Sequence, residues 1–373
     1  MTPPVVCDPG AIDAAPNRPA VFLIWPRDGA PYLARTGLLR RRLHRLLDAR
    51  DKPSRLLNLG GLAERVEYWL AGSQLESGWL FYELARRHFP ETYLKLCRLR
   101  MPAYIKLTLS NPFPRTLVTA RLGGGAGLYY GPFRSRASAE EFEKQFLDLF
   151  QIRRCEENLE PRPDHPGCIY GEMSMCLRPC QAAVSQEEYR REAERVGQFL
   201  GTGGTVLVET ITADRNRLSE ELNFEEAARQ HKRMERIEKI LALRDDLAQD
   251  IDRLWGVAIT RSVEVEAVEL WFLAGGVLLP ARRFPLTAPG GEIVSMDRRL
   301  RETSAALDPP RVTLKERQES LALLARWYYS SWRDGELLQF ESPEKIPYRK
   351  LVNAVSRVAN GPANPAQPSP DRR

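Results

Sequence analysis

Four cysteines, Cys155, Cys168, Cys176 and Cys180, fall within 26 residues of a stretch that has little regular hydrophobic pattern. This combination constrains the fold more than any other feature of the chain. A stretch so poor in apolar surface cannot offset its ordering entropy by core burial, so the thiols must supply the missing cohesion. The N-terminus has no basic region followed by a long apolar one, which reads as no export signal. Without export, a cysteine cluster indicates a metal or cofactor site rather than a disulfide framework. The spacing is C-x12-C-x7-C-x3-C. Four thiolates can close a tetrahedral zinc site or ligate a [4Fe–4S] cluster; zinc sites favour closely spaced pairs, and only Cys176/Cys180 is one. His165 is a substitute ligand in the zinc reading. Cys7 and Cys97 stand apart.

A chain of 373 residues is long enough for two or three domains. No apolar run reaches the roughly 18 residues of a membrane span, so the expected location is cytoplasmic, with no membrane partner. The net charge of +6 is unevenly placed: residues 1–150 hold 22 Lys/Arg against 14 Asp/Glu, and residues 151–373 hold 33 against 35. The basic N-terminal part suits a polyanion such as DNA, although charge alone equally fits a solvated basic face.

Periodicity gives a multidomain α/β (α+β) reading. Residues 1–17, rich in Pro, Ala and Asp, read as a disordered leader. Ala20–Trp25 and 31–34 flank an Asp28-Gly29 turn, a hairpin signal. A basic amphipathic helix follows from Leu38 to Arg50, and residues 59–69 and 75–100 also read as helical. Strands are expected over 103–121, then a helix near 136–151. Residues 204–249 read as a helical hairpin whose second helix is capped by Asn223, with Glu226 three residues on. Strands return over 255–286 and a helix over 314–333. The end is a Pro-rich polar tail.

Three segments, in order, resemble the UvrC family. They are 104–122 with Tyr129-Tyr130-Gly131-Pro132-Phe133, the four-cysteine spacing ending Cys176-Leu177-Arg178-Pro179-Cys180, and Leu222-Asn223-Phe224-Glu225-Glu226-Ala227-Ala228-Arg229. The last is similar to the UVR motif shared by UvrB and UvrC. The resemblance covers about residues 18–340 and implies this organisation: a GIY-YIG-like α/β domain over 18–100, a strand pair and cysteine-rich segment over 101–181, a UVR hairpin over 185–250, a partial α/β segment over 251–345 and a mostly disordered tail over 346–373. It also implies a [4Fe–4S] cluster on the four cysteines, with zinc as the alternative. UvrB is the implied partner through Leu222, Phe224, Glu225, Ala227, Ala228 and Arg229, with DNA and the UvrA/UvrB complex beyond it.

The GIY-YIG chemistry needs a carboxylate to hold a divalent cation, a tyrosine at the attacking water and an arginine for the phosphate charge. Here the motifs are degenerate. Ala20-Val21-Phe22 stands for Gly-Ile-Tyr, so the first tyrosine is Phe22, which has no hydroxyl. Tyr32-Leu33-Ala34 keeps its tyrosine but not its glycine. Arg35 takes the place of a lysine, and Arg42 is retained. The metal-binding Glu lies nine residues before a Pro in the family pattern, and counting back from Pro90 reaches Phe81. Glu76 and Glu83 are nearby, but rescue by Glu83 would need a register shift. Arg35, Arg40, Arg41 and Arg45 are candidate phosphate contacts. Only 33 residues follow Phe340, which leaves no space for the RNase H-like nuclease or the helix-hairpin-helix module of full-length relatives. The expected function is therefore a non-catalytic or accessory factor of nucleotide excision repair that binds DNA and UvrB. The alternatives are an endonuclease making a single nick with a metal such as Mg²⁺, and an iron–sulfur protein unconnected with repair, against which the UVR string argues.

Overall fold

The structure, a computed structural model, describes residues 3–48, 57–123, 125–288, 294–305 and 307–361. In chain order the first elements are β1 (Val5–Cys7), β2 (Ala20–Pro26), β3 (Tyr32–Thr36), α1 (Leu39–Leu47), β4 (Ala63–Leu70), α2 (Gln74–His88) and α3 (Tyr93–Cys97). Next come β5 (Ala103–Leu107), β6 (Thr116–Thr119), β7 (Leu128–Phe133), α4 (Arg136–Leu147), α5 (Ile169–Glu172), α6 (Gln186–Gly201), α7 (Thr205–Glu220), α8 (Phe224–Leu241) and β8 (Gln249–Asp250). The last are β9 (Trp255–Arg261), β10 (Ala267–Ala274), β11 (Val277–Leu278), β12 (Arg282–Pro285), α9 (Met296–Ser304), α10 (Leu314–Tyr328), β13 (Gly335–Phe340) and α11 (Tyr348–Asn360). The chain forms two compact units. One comprises Met1–Arg100, Trp255–Pro310 and Arg326–Arg373, and the other Met101–Leu254 and Arg311–Ala325. Among the described residues no helix is long and apolar enough to cross a membrane.

The first unit holds two antiparallel sheets. One has the order β1-β4-β2-β3. Gly29, at φ +99°, turns β2 into β3, and Phe22 pairs Ala34 while Val21 pairs Arg35. Because side chains alternate across a strand, Ala20, Phe22 and Ile24 share a face with Leu39, Leu43, Leu46 and Leu47 of α1 in one core. Val21, Leu23 and Leu33 are also buried and turn to the other face, where α2 packs. The other sheet runs β11-β10-β9-β13, with β12 on β10. Every residue of β10 is buried, so both its faces are covered. α11 covers one of them with Leu351, Ala354, Val355 and Val358, at helical spacing. The start of α2 meets this sheet closely: a Cβ on Gly72 would lie 2.3 Å from the Ser262 carbonyl carbon. Trp79 packs against Trp271 with centroids 5.7 Å apart.

In the second unit a sheet of order β6-β5-β7-β8 is covered by α4. Phe142 stacks on Tyr130 at 5.7 Å, and Phe146 packs against Phe199 of α6 at 5.8 Å. Tyr189, Val196 and Leu200 of α6 complete this core. The antiparallel pair α7 and α8 buries Ile211, Ile237 and Ile240.

Four expectations change. Residues 59–69 form no helix; they enter β4, which is central between β1 and β2 and buries Val66, Tyr68 and Trp69 through sheet packing rather than along a helical stripe. The expected disordered leader contains β1, because Val5–Cys7 finds backbone partners at Val66–Tyr68. The expected disordered tail begins with α11, since its apolar stripe finds the β9–β10 face; residues 362–373 lie outside the described residues. The partition at residue 251 gives way to a unit in which β9–β13 join residues 1–100.

Candidate functional site

The β1-β4-β2-β3 sheet sorts the positions that the resemblance implies as catalytic onto two faces of its edge strand β3. On the α1 face, the Arg42 Nη2 donates to the Tyr32 hydroxyl at 3.4 Å. Phe22, fully buried, lies 6.4 Å from the Tyr32 ring. Arg40, Arg41 and Arg45 are exposed on α1. Arg40 reaches the Asp13 carbonyl at 3.4 Å. On the α2 face, the Arg35 guanidinium lies over the Phe81 ring at 5.9 Å. The residue where the resemblance requires a metal-binding carboxylate is therefore an aromatic ring under a cation. This donor set does not fit a divalent cation, which needs oxygen ligands. Glu83 is half-buried further along α2.

Two groups on β3 and α2 are displaced from their ordinary ranges. Burial first, and then the neighbouring Arg326 of α10, pulls the Arg35 guanidinium down to about 10. Glu76, near the start of α2, is pushed up to about 7, mainly by burial and further by Glu269 and Asp334, while the Gly72 N–H and Arg283 oppose the shift. Its carboxylate accepts from the Gly72 N–H at 2.7 Å. Asp334 accepts from the Gln74 N–H at 2.6 Å and from the Trp327 indole at 3.0 Å. The Gln74 N–H is one that a helix start leaves without an intrahelical partner, so the acidic cluster reads as an extension of the Ser73 cap.

The cysteine segment is organised by polar contacts. Arg153, only 2% exposed, donates from Nε to the Phe113 carbonyl at 2.9 Å and from Nη1 to the Glu157 carbonyl at 2.8 Å. The same Nη1 approaches Cys155 Sγ at 3.8 Å. Tyr189 bridges, accepting from the Arg153 N–H at 2.7 Å and donating to the Pro114 carbonyl at 2.9 Å. Cys168 precedes α5, and Cys180 sits in a short 3₁₀ turn, Pro179–Gln181. The Arg178 N–H donates to Cys176 Sγ at 3.4 Å. Cys176 and Cys180 are buried, Cys155 is half-buried and Cys168 is exposed. Burial first, then Cys155, Cys168 and Cys180, push the Cys176 thiol up to about 11 against the Arg178 N–H. Among the described residues no three metal-ligating side chains stand close enough to hold one ion. The donor chemistry fits a thiolate-bound metal or cluster.

At the α7–α8 turn, Leu222 is 73% exposed and Phe224 63% exposed. Leu222 has φ +59°, and the Asn223 side chain accepts from the Glu226 N–H at 3.4 Å. Arg229 pairs with Glu226 at 3.1 Å and with Glu225 at 3.4 Å. Ala227 is buried and Ala228 exposed. α8 therefore divides its apolar residues: Ala227 and Ile237 pack inside, while Phe224 projects from the tip.

A family model described as the middle domain of UvrC/Cho excinucleases matches residues 103–199, a span that contains all four clustered cysteines. The chain is 25% identical to UvrABC system protein C of Lachnospira eligens over 352 residues, covering 92% of this chain and 57% of that one. It is 26% identical to the same-named protein of Moorella thermoacetica over 350 residues, 92% and 56% of the two chains. With the Methanothermobacter thermautotrophicus protein it shares 26% identity over 353 residues, 92% and 58% of the two chains. It thus spans somewhat over half the length of these curated relatives. No solved structure matches it. The chain is a UvrC-like protein that carries the UvrC/Cho middle domain.

Proposed function

We propose that this chain serves nucleotide excision repair in the cytoplasm as an accessory factor that binds DNA and UvrB and does not cut. The observation that carries the non-cutting half is the Arg35 guanidinium over Phe81. A phenyl ring offers no ligand to a cation, and an adjacent guanidinium repels one. DNA is held by the basic nuclease-like domain, in which Arg40, Arg41 and Arg45 lie on the exposed side of α1. UvrB is held at the hairpin tip, where Leu222 and Phe224 expose apolar surface of the kind that a matching helical hairpin can cover.

In this reading the four cysteines bind a [4Fe–4S] cluster, or zinc as the alternative. Either group would hold in place a segment whose own contacts are mostly polar. Anaerobically purified chain is expected to contain iron and acid-labile sulfide near four atoms each; stoichiometric zinc instead would select the alternative.

Manganese titration followed by electron paramagnetic resonance tests the lost metal centre. The expected result is no stoichiometric site outside the cluster. A tight site that disappears in Glu83→Gln would support the second reading, a single-nick endonuclease. The retained Tyr32–Arg42 contact is the observation that favours that reading. For the binding half, Phe224→Ala is expected to lose capture of the UvrB–DNA complex while DNA binding alone persists.

A further inference from the structure

Arg35, Arg326 and Arg98 interact with one another around Phe81 and Cys97. Arg35, on β3, has its guanidinium over the Phe81 ring at 5.9 Å. Among the described residues its side chain makes no hydrogen bond or ion pair. Arg326, in the last turn of α10, is close enough to depress the Arg35 guanidinium, and it donates from Nη1 to the Cys97 carbonyl at 2.8 Å. Burial first, and then Arg98, pulls Arg326 itself below the usual guanidinium range, while Cys97 opposes. Arg98 is exposed and follows α3 in a left-handed conformation. Half-buried guanidiniums set side by side repel each other and lose hydration. They persist where something compensates, and a bound anion relieves both costs at once.

We propose that Arg35 and Arg326, with Arg98 at the rim, hold a backbone phosphate of DNA where the resemblance places the divalent cation. The inference rests on the reading that this domain binds DNA. It goes further by assigning Arg326, which lies far outside the nuclease-like segment in sequence and belongs to no motif there. The charge arithmetic supports it. A carboxylate with its divalent ion carries a net +1. Phe81 carries nothing and Arg326 brings +1, so the attraction for a phosphate is preserved. The chemistry is not preserved, because a guanidinium binds phosphate oxygens through a planar fork but, staying protonated, cannot turn water into hydroxide as a metal does. Binding without incision is the consequence.

The test is fluorescence anisotropy of a labelled duplex oligonucleotide with the full, cluster-loaded chain, in EDTA, over a salt series. Arg326→Gln keeps a donor for the Cys97 carbonyl but loses the charge. It is expected to weaken binding about tenfold and to lower the slope of log K against log salt by about 0.9, one phosphate contact. Phe81→Glu puts a carboxylate beneath Arg35 and is expected to weaken binding similarly; it carries the test if Arg326→Gln unfolds. If the wild type binds and both variants keep its affinity and slope, the phosphate is held elsewhere and the inference fails, while the repair reading stands. If the wild type itself shows no salt-dependent binding, the DNA-binding reading fails and this inference with it.

Discussion

Replacing Glu76 with Gln should stabilise the protein at alkaline pH and leave it nearly unchanged at acid pH. The carboxyl is lifted from 4.5 to about 7, chiefly by burial and then by Glu269 and Asp334, against the Gly72 N–H and Arg283. A carboxyl whose pKa rises on folding binds its proton more tightly in the native state, so stability falls as pH climbs from about 4.5 through about 7 and then levels off. At about 1.4 kcal/mol per pKa unit, a lift of that size has a ceiling of about 3.5 kcal/mol above neutrality. Residual solvent contact at this half-buried residue reduces it to about 1–2 kcal/mol. The amide keeps the side-chain oxygen that accepts from Gly72, so the helix start retains its partner. The assay is the first thermal transition of wild type and variant at pH 4.0 and pH 8.5. The variant should melt about 3–6 °C higher at pH 8.5 and within about 1 °C of wild type at pH 4.0, below the unfolded-state carboxyl range. An equal difference at both pH values, or a variant that melts lower at pH 8.5, would refute the burial argument.

Other consequences are separable. Cys176→Ser should abolish cluster or metal loading and expose residues 155–181 to limited proteolysis, because that segment has few apolar contacts of its own; unchanged loading would remove Cys176 from the ligand set. Gly72→Ala should cost about 1–3 kcal/mol, read as a lower melting temperature, since its Cβ would meet the Ser262 backbone at 2.3 Å and the Arg261 carbonyl oxygen at 2.5 Å. Phe224→Ser should leave melting unchanged within about 0.5 kcal/mol, because the ring is 63% exposed, while sharply reducing UvrB capture.

Local signals were legible in the sequence where a short stretch decides its own conformation. Asp28-Gly29 announced the β2–β3 turn, Asn223 the start of α8, and the long apolar run the β9–β10 pair. The failures share a cause: the deciding partner is remote. Val66, Trp69 and Leu70 fit a helical spacing while Val66, Tyr68 and Leu70 alternate, and only the flanking strands β1 and β2 select the strand. Val5–Cys7 pairs about 60 residues away, which no local pattern reveals. α11 did carry a signal, Leu351, Ala354, Val355 and Val358 at i, i+3, i+4 and i+7, but it was masked by the Pro-rich end that follows. At the Arg35–Phe81 face the same limit applied. Phe22, Tyr32, Arg42 and Phe81 could be placed by motif, whereas Arg326 reaches Arg35 only through the fold. Strand parity, which separates Tyr32 with Arg42 from Arg35 with Phe81, emerges only once β3 is paired.

The claim that this chain binds at lesions without cutting is tested most directly by incision. Cluster-loaded chain, UvrA, UvrB and ATP are incubated with lesion-bearing duplex in Mg²⁺ or Mn²⁺, and the strands are resolved on a denaturing gel. The account predicts no nick above the level seen without the chain, with the chain retained on the UvrB–DNA complex. A specific, metal-dependent nick would contradict it, and would mean that a working cation site exists despite Phe81.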